Sequence, residues 1–136
     1  AAAADAAGIV ESKITELLKS APKIGETTAL VAEMPEVPIE QLKIGADLVK
    51  QKTPSAAVLL GMRSGDRATL LAAMSNDLIK KGLKAGDLVK AVAPLVEGGG
   101  GGPPTMAQAG GKNPAKLGEA LEAGRKWLES KLGSEK

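Results

Sequence analysis

The chain has 136 residues, 43% hydrophobic and 25% charged, which is the size and composition of one globular domain and leaves no room for two. Eighteen Lys and Arg against sixteen Asp and Glu give a formal charge of only +2, far from a polybasic chain. There is no His, Cys, Tyr or Phe, and Trp127 is the single aromatic; this excludes thiolate and Ser-His-Asp nucleophiles, disulfides, His/Cys metal sites and the paired stacking platforms of single-strand RNA readers.

The start, Ala1-Ala2-Ala3-Ala4-Asp5, has neither an initiator Met nor a basic and apolar leader, and no apolar run approaches the roughly 20 residues that span a bilayer. The chain therefore reads as a non-membrane, cytoplasmic piece of a longer protein. Up to Ser20, Val10, Ile14, Leu17, Leu18 and Ala21 recur at helical spacing among Glu11, Lys13, Glu16 and Lys19, which predicts an amphipathic helix ended by Pro22 and Gly25. Its apolar stripe needs either a partner helix outside the chain or the domain that follows. Residues 1–25 are expected to be the end of a helical segment and its linker, and residues 26–136 the globular domain.

Thr27 to Met34 is a short apolar run closed by Pro35 and Pro38 and predicts a buried strand. Pro38 suits a first helical position, and Ile39, Leu42, Ala46 and Val49 continue that helix until Thr53 and Pro54. Ser55 to Met62 predicts a second buried strand, parallel to the first across the helix. Arg63 to Asp66 carry turn chemistry, so Arg67 to Met74 should return antiparallel. Ser75, Asn76 and Asp77 offer side-chain oxygens to the orphan amides of a short helix that Gly82 ends, and a further helix from Gly86 should be disturbed at Pro94. After the glycines, Thr105 to Ala109 predicts a strand, and Asn113-Pro114 starts a last helix with Leu117, Leu121, Gly124, Leu128 and Leu132 on one stripe. The expected fold is α/β (α+β): a small mixed β-sheet of about four strands with helices packed on it, preceded by the amphipathic helix.

Five consecutive glycines, Gly98, Gly99, Gly100, Gly101 and Gly102, are costly in a folded region, at about 0.5–1 kcal/mol each relative to Ala. They are either a flexible linker or a place where bare backbone amides converge on an anion and a phosphate approaches unobstructed. The continuity of the flanking patterns and the stiff Pro103-Pro104 favour the second. No Lys-Ser or Lys-Thr follows and no helix opens directly after them, so P-loop and Rossmann fingerprints are excluded. Asp66, Asp77 and Asp87 each sit where a turn or cap needs a carboxylate, and no general acid/base pair stands out. Charge is uneven: residues 1–75 sum to −1 and residues 76–136 to +3. Candidate phosphate contacts are Lys112 and Lys116 after the glycines, Lys84 with Lys80 and Lys81, Arg63 and Arg67 flanking the hairpin tip, and Arg125 with Lys126; Trp127 reads as packing.

Ala85-Gly86-Asp87-Leu88-Val89-Lys90, the glycine run, Met106-Ala107-Gln108-Ala109-Gly110-Gly111 and the continuing Lys112-Asn113-Pro114 together resemble the C-terminal, DHH-associated (C-Ala) domain of the alanyl-tRNA synthetases, ligases that join alanine to tRNA. The resemblance implies an α+β module that binds the outer corner, or elbow, of alanine tRNA, assists aminoacylation and hydrolytic editing by the parent's catalytic and editing domains, and in some members contributes to a homodimer. It implies no catalytic residue and no cofactor in this chain; ATP, magnesium and an editing-domain zinc belong to the parent family. Family members often carry a Lys within the glycine run and Arg-Pro-Asp after it, where this chain has Gly99 and Pro103-Pro104-Thr105. Two cations are thus missing, which shifts the expected contact to backbone amides and Lys112. Two alternatives stand beside this reading. One is a substrate-binding domain of a DHH-type phosphodiesterase, whose relatives carry a His after the glycines where Pro103 stands; the other is a dimerisation module built on the first helix.

Overall fold

The computed structural model describes residues 2–21, 23–24 and 26–133. In chain order the elements are α1 (Ala2–Ser20), β1 (Lys23–Ile24), β2 (Thr27–Glu33), α2 (Ile39–Lys52), β3 (Ala56–Ser64), β4 (Arg67–Met74), α3 (Asn76–Lys80), α4 (Ala85–Val92), β5 (Gly98–Gly101), β6 (Met106–Gly111) and α5 (Leu117–Gly133), with 3-10 turns at Ala93–Val96 and Pro114–Lys116. The sheet order is β1-β2-β3-β4-β6-β5. β2 and β3 run parallel on either side of the α2 crossover, and the other pairings are antiparallel.

The central strands read as unbroken apolar runs because both of their faces are covered. On one face Leu59, Leu70 and Met74 pack with α4 and α5; on the other Leu30, Leu60 and Leu71 pack with α2 and α1. The stripe of α1 finds its partner within the chain: Val10 and Ile14 are buried against α2, where Gly45 leaves the space, since a Cβ there would stand 2.7 Å from Val10 Cγ1. The expected breakers Pro22 and Gly25 lie outside the described residues. Pro94 acts as anticipated, with α4 giving way to the 3-10 turn. Glu97, at φ 57°, then swings the chain into β5.

Among the described residues six strands stand where about four were expected. β1 is two residues long, too short for any pattern, and β5 is the glycine run itself, which has no side chains to alternate. Two expected helix caps are also used differently. Asn113 donates from Nδ2 to Glu97 across the 3-10 turn, 2.8 Å away, and makes no side-chain cap. Ser75 Oγ accepts the Ala56 N–H and donates to Asp77, leaving the α3 amides to other partners.

That Ser75 contact belongs to a network tying together the ends of three strands. Ser55 Oγ donates to the other oxygen of Asp77 and lies 2.9 Å from Thr27 Oγ1, which must donate to it in turn. Burial acts to raise the Asp77 carboxyl, but the Ser55 and Ser75 hydroxyls and the backbone amides of Asp77 and Leu78 together outweigh it and hold it below its ordinary value of 3.8. Asp77→Ala is expected to cost about 1–3 kcal/mol, because the buried Ser55 hydroxyl loses its acceptor; urea midpoints measure this. A carboxylate with a lowered folded-state pKa stabilises above its unfolded value and stops doing so as pH falls through the folded one. The gap between the two proteins should therefore be full at neutral pH and shrink below about pH 4.

Candidate nucleic-acid interface

β5 forms one edge of the sheet and pairs only with β6, Gly98 opposite Gly111 and Gly101 opposite Gln108. Its glycines are not equivalent. A Cβ on Gly98 would overlap Gly110 O and stand 2.5 Å from Gly111 Cα; one on Gly100 would overlap Gln108 O and stand 2.6 Å from Ala109 Cα. Gly99 has nothing within 4 Å of its Cβ position, and Gly101 has only Lys90 Cε at 3.6 Å. Alternate glycines thus let β5 lie against β6, while the intervening ones leave bare backbone facing outward.

Next to this edge the sheet floor is open. α2 lies over β3 and β4 but stops short of β6, and Gln108 and Gly110 are exposed. One concavity of about 380 Å³ is bounded by Ile39, Thr69, Gly99 and Gln108; a second, of about 400 Å³, by Lys43, Gly101, Pro103 and Gln108. Gln108 is common to both, so they adjoin along β6.

The register gathers some of the expected cations and separates others. Arg63 lies opposite Ala68, Ala68 opposite Gly111 and Gly111 opposite Gly98. Arg63, Arg67, Lys112 and the start of the glycine strand therefore share one end of the sheet, with Lys116 a few residues beyond. Two of these are already paired, Arg63 with Glu33 at 3.2 Å and Lys116 with Glu119 at 3.2 Å. Lys112 is exposed and, among the described residues, has no carboxylate within 4 Å. Lys84 stands at the other end, since the N–H of its neighbour Ala85 donates to Pro104 O at 2.9 Å. Lys80 and Lys81, also exposed, precede it. On α5, Arg125 is held by Glu122 and Glu129, and Lys126 is exposed on the same helix; half-buried Trp127 packs on the core, as expected.

Four residues beside the glycine strand escaped the sequence reading: Thr69 and Gln108 on the sheet floor, Lys43 on α2 and Lys90 on α4. Gln108 sits in the motif that carries the family likeness, and its polar side chain in an alternating strand is the one signal that marked it. Lys90 also sits in that motif, at the end of its Ala85–Lys90 part, whereas Lys43 carries no signal in the sequence; both become notable only once the helices are placed. No group of three or more Asp and Glu among the described residues is placed to hold a metal ion, and the chain has no His or Cys.

The sequence matches the DHHA1 domain over residues 26–130. It is 44% identical over 127 residues to the alanine–tRNA ligase of Pediococcus pentosaceus, covering 93% of this chain and 14% of that protein. Against the alanine–tRNA ligase of Lactiplantibacillus plantarum it is 52% identical over 102 residues, 74% of this chain and 12% of that one. The chain thus spans a small part of the curated relatives it matches. Its structure is similar to the C-Ala domain from Aquifex aeolicus alanyl-tRNA synthetase, with a TM-score of 0.71 and 31% identity over 83% of this chain and 97% of that one.

Proposed function

The chain belongs to the DHHA1 domain family, and on that premise we propose that it is the tRNA-binding C-terminal domain of an alanine–tRNA ligase. It grips the elbow of alanine tRNA and presents the molecule to aminoacylation and editing domains elsewhere in a cytoplasmic parent. Residues 26–136 are the binding domain and α1 is the end of the helical segment before it. The chemistry, with its ATP, magnesium and editing zinc, belongs to the parent, and this chain contributes binding.

The observation that carries this reading is the ordered, side-chain-free edge strand Gly98–Gly101 beside an open sheet face. An edge strand presents unpaired N–H groups, and here no Cβ keeps a phosphate away from them. With one half-buried Trp and no other aromatic, the domain cannot read splayed bases by stacking, so recognition falls to backbone charge and shape. Lys112 supplies an uncommitted cation where the strand begins.

The test is a titration of the isolated domain with folded alanine tRNA and with short oligonucleotides of the same composition. An elbow reader binds the folded tRNA at least about tenfold more tightly, because the oligonucleotides lack the tertiary corner. Equal affinity for a dinucleotide and a tRNA rejects the proposal. Lys112→Ala should lower the slope of log K against log salt by about one unit if that ammonium meets a phosphate.

A further inference from the structure

We infer that Lys43 and Lys90 form a two-sided clamp for an RNA phosphodiester at the Gly101–Gly102 end of the glycine strand. The inference rests on the proposed RNA-binding role and names the residues that would hold the backbone there. Both lysines are exposed. Neither has a carboxylate within 4 Å among the described residues, although Glu40 and Asp87 lie one turn away on their own helices. They belong to helices on opposite faces of the sheet, α2 packing on one and α4 on the other. Lys90 Cε stands 3.6 Å from the Cβ position of Gly101, so its ammonium can reach past the bare strand. Lys43 borders the concavity whose wall is Gly101, Gly102 and Pro103. Two cations thus approach Gly101 from the two sides.

The occupant follows from the charge and the chemistry. Two uncompensated ammonium groups flank bare edge-strand backbone, and a phosphodiester is an anion that both ammonium groups and backbone amides can contact. At the other end of the strand Arg63 and Lys116 are paired with Glu33 and Glu119, which leaves Arg67 and Lys112 as the cations there without a carboxylate within 4 Å among the described residues.

The experiment measures tRNA affinity against salt for the wild-type domain, Lys43→Ala/Lys90→Ala, a control pair Lys19→Ala/Lys52→Ala at exposed positions of α1 and α2, and the clamp-deleted protein carrying Gly99→Lys. Deleting the clamp should make the log K–log salt slope shallower by about one to two units and weaken binding about five- to thirtyfold near physiological salt. The control pair should change little. Gly99→Lys should recover part of both losses, since its side chain meets open space; a purely structural role for the lysines predicts no such rescue. The inference is overturned if a clamp-deleted domain with unchanged circular dichroism keeps the wild-type slope and affinity, or if the control pair loses as much. Those outcomes leave the tRNA-binding reading standing. A wild-type domain that binds tRNA no better than a dinucleotide removes both.

Discussion

Gly98→Ala is expected to lower the stability of the domain by about 2–3 kcal/mol, while Gly99→Ala, one residue along, leaves it unchanged or raises it by up to about 1 kcal/mol. The opposite signs follow from where each new methyl goes. At Gly98 it overlaps the carbonyl oxygen of Gly110, a backbone atom in a strand that is itself paired to β4 and has no rotamer to escape through. At Gly99 it meets nothing within 4 Å, and φ there is not among the positive values, which fall at Gly65, Gly82 and Gly102. What remains at Gly99 is the loss of unfolded-chain freedom, which favours the folded state. Gly100→Ala should resemble Gly98→Ala, for a Cβ there overlaps Gln108 O. Urea unfolding of the three variants checks the alternation. A uniform small effect would mean that β5 does not lie against β6 as described, and a glycine tether between separate lobes would behave in that way.

The same alternation explains what the sequence could not reveal. The helices and the four longer strands were legible because apolar periodicity and breakers encode them: the stripe from Leu117 to Leu132 became α5, and Ser55 to Met62 became the core of β3. Glycine has no hydropathy to alternate, so a strand made of it looks like a loop, and only the backbone contacts of Gly98 and Gly100 distinguish the two. Side-chain partners across the sheet were illegible for another reason. Arg63 read as an outward cation, but Glu33 from the neighbouring strand holds it. Ser75 read as a cap, but strand β3 brings Ala56 to it. Lys43 lies on a helix distant in sequence from the glycines and meets them only through the crossover that places α2 over β3 and β4. Local chemistry was readable; its availability depends on contacts between elements far apart in the chain.

The second large effect concerns the close approach of α5 to the sheet. Leu59→Ala should cost about 2–5 kcal/mol, because Leu59 is fully buried and its removal leaves a cavity that rigid strands cannot close. Gly124→Ala should also destabilise, by about 1–3 kcal/mol, since the new Cβ would overlap Leu59 Cδ2 and lie 3.5 Å from Val92 Cγ1, and Leu59 is fully buried among other core side chains. That cost appears despite the roughly 1 kcal/mol by which Ala is favoured over Gly inside a helix. Combined, the two changes should not add. With Leu59 truncated, the methyl at position 124 occupies part of the vacated space, its clash disappears, and the helix preference of Ala is realised. The double variant should therefore be more stable than the sum of the single losses predicts by at least about 1 kcal/mol, a coupling that a double-mutant cycle in urea resolves. Strict additivity would mean that α5 sits farther from β3 than this packing requires. Leu117 and Leu121 supply an independent check, because both close over Gly61 on β3, where a Cβ would stand 2.8 Å from Leu117 Cδ1. Gly61→Ala should reproduce the penalty of Gly124→Ala, and Leu117→Ala should relieve it.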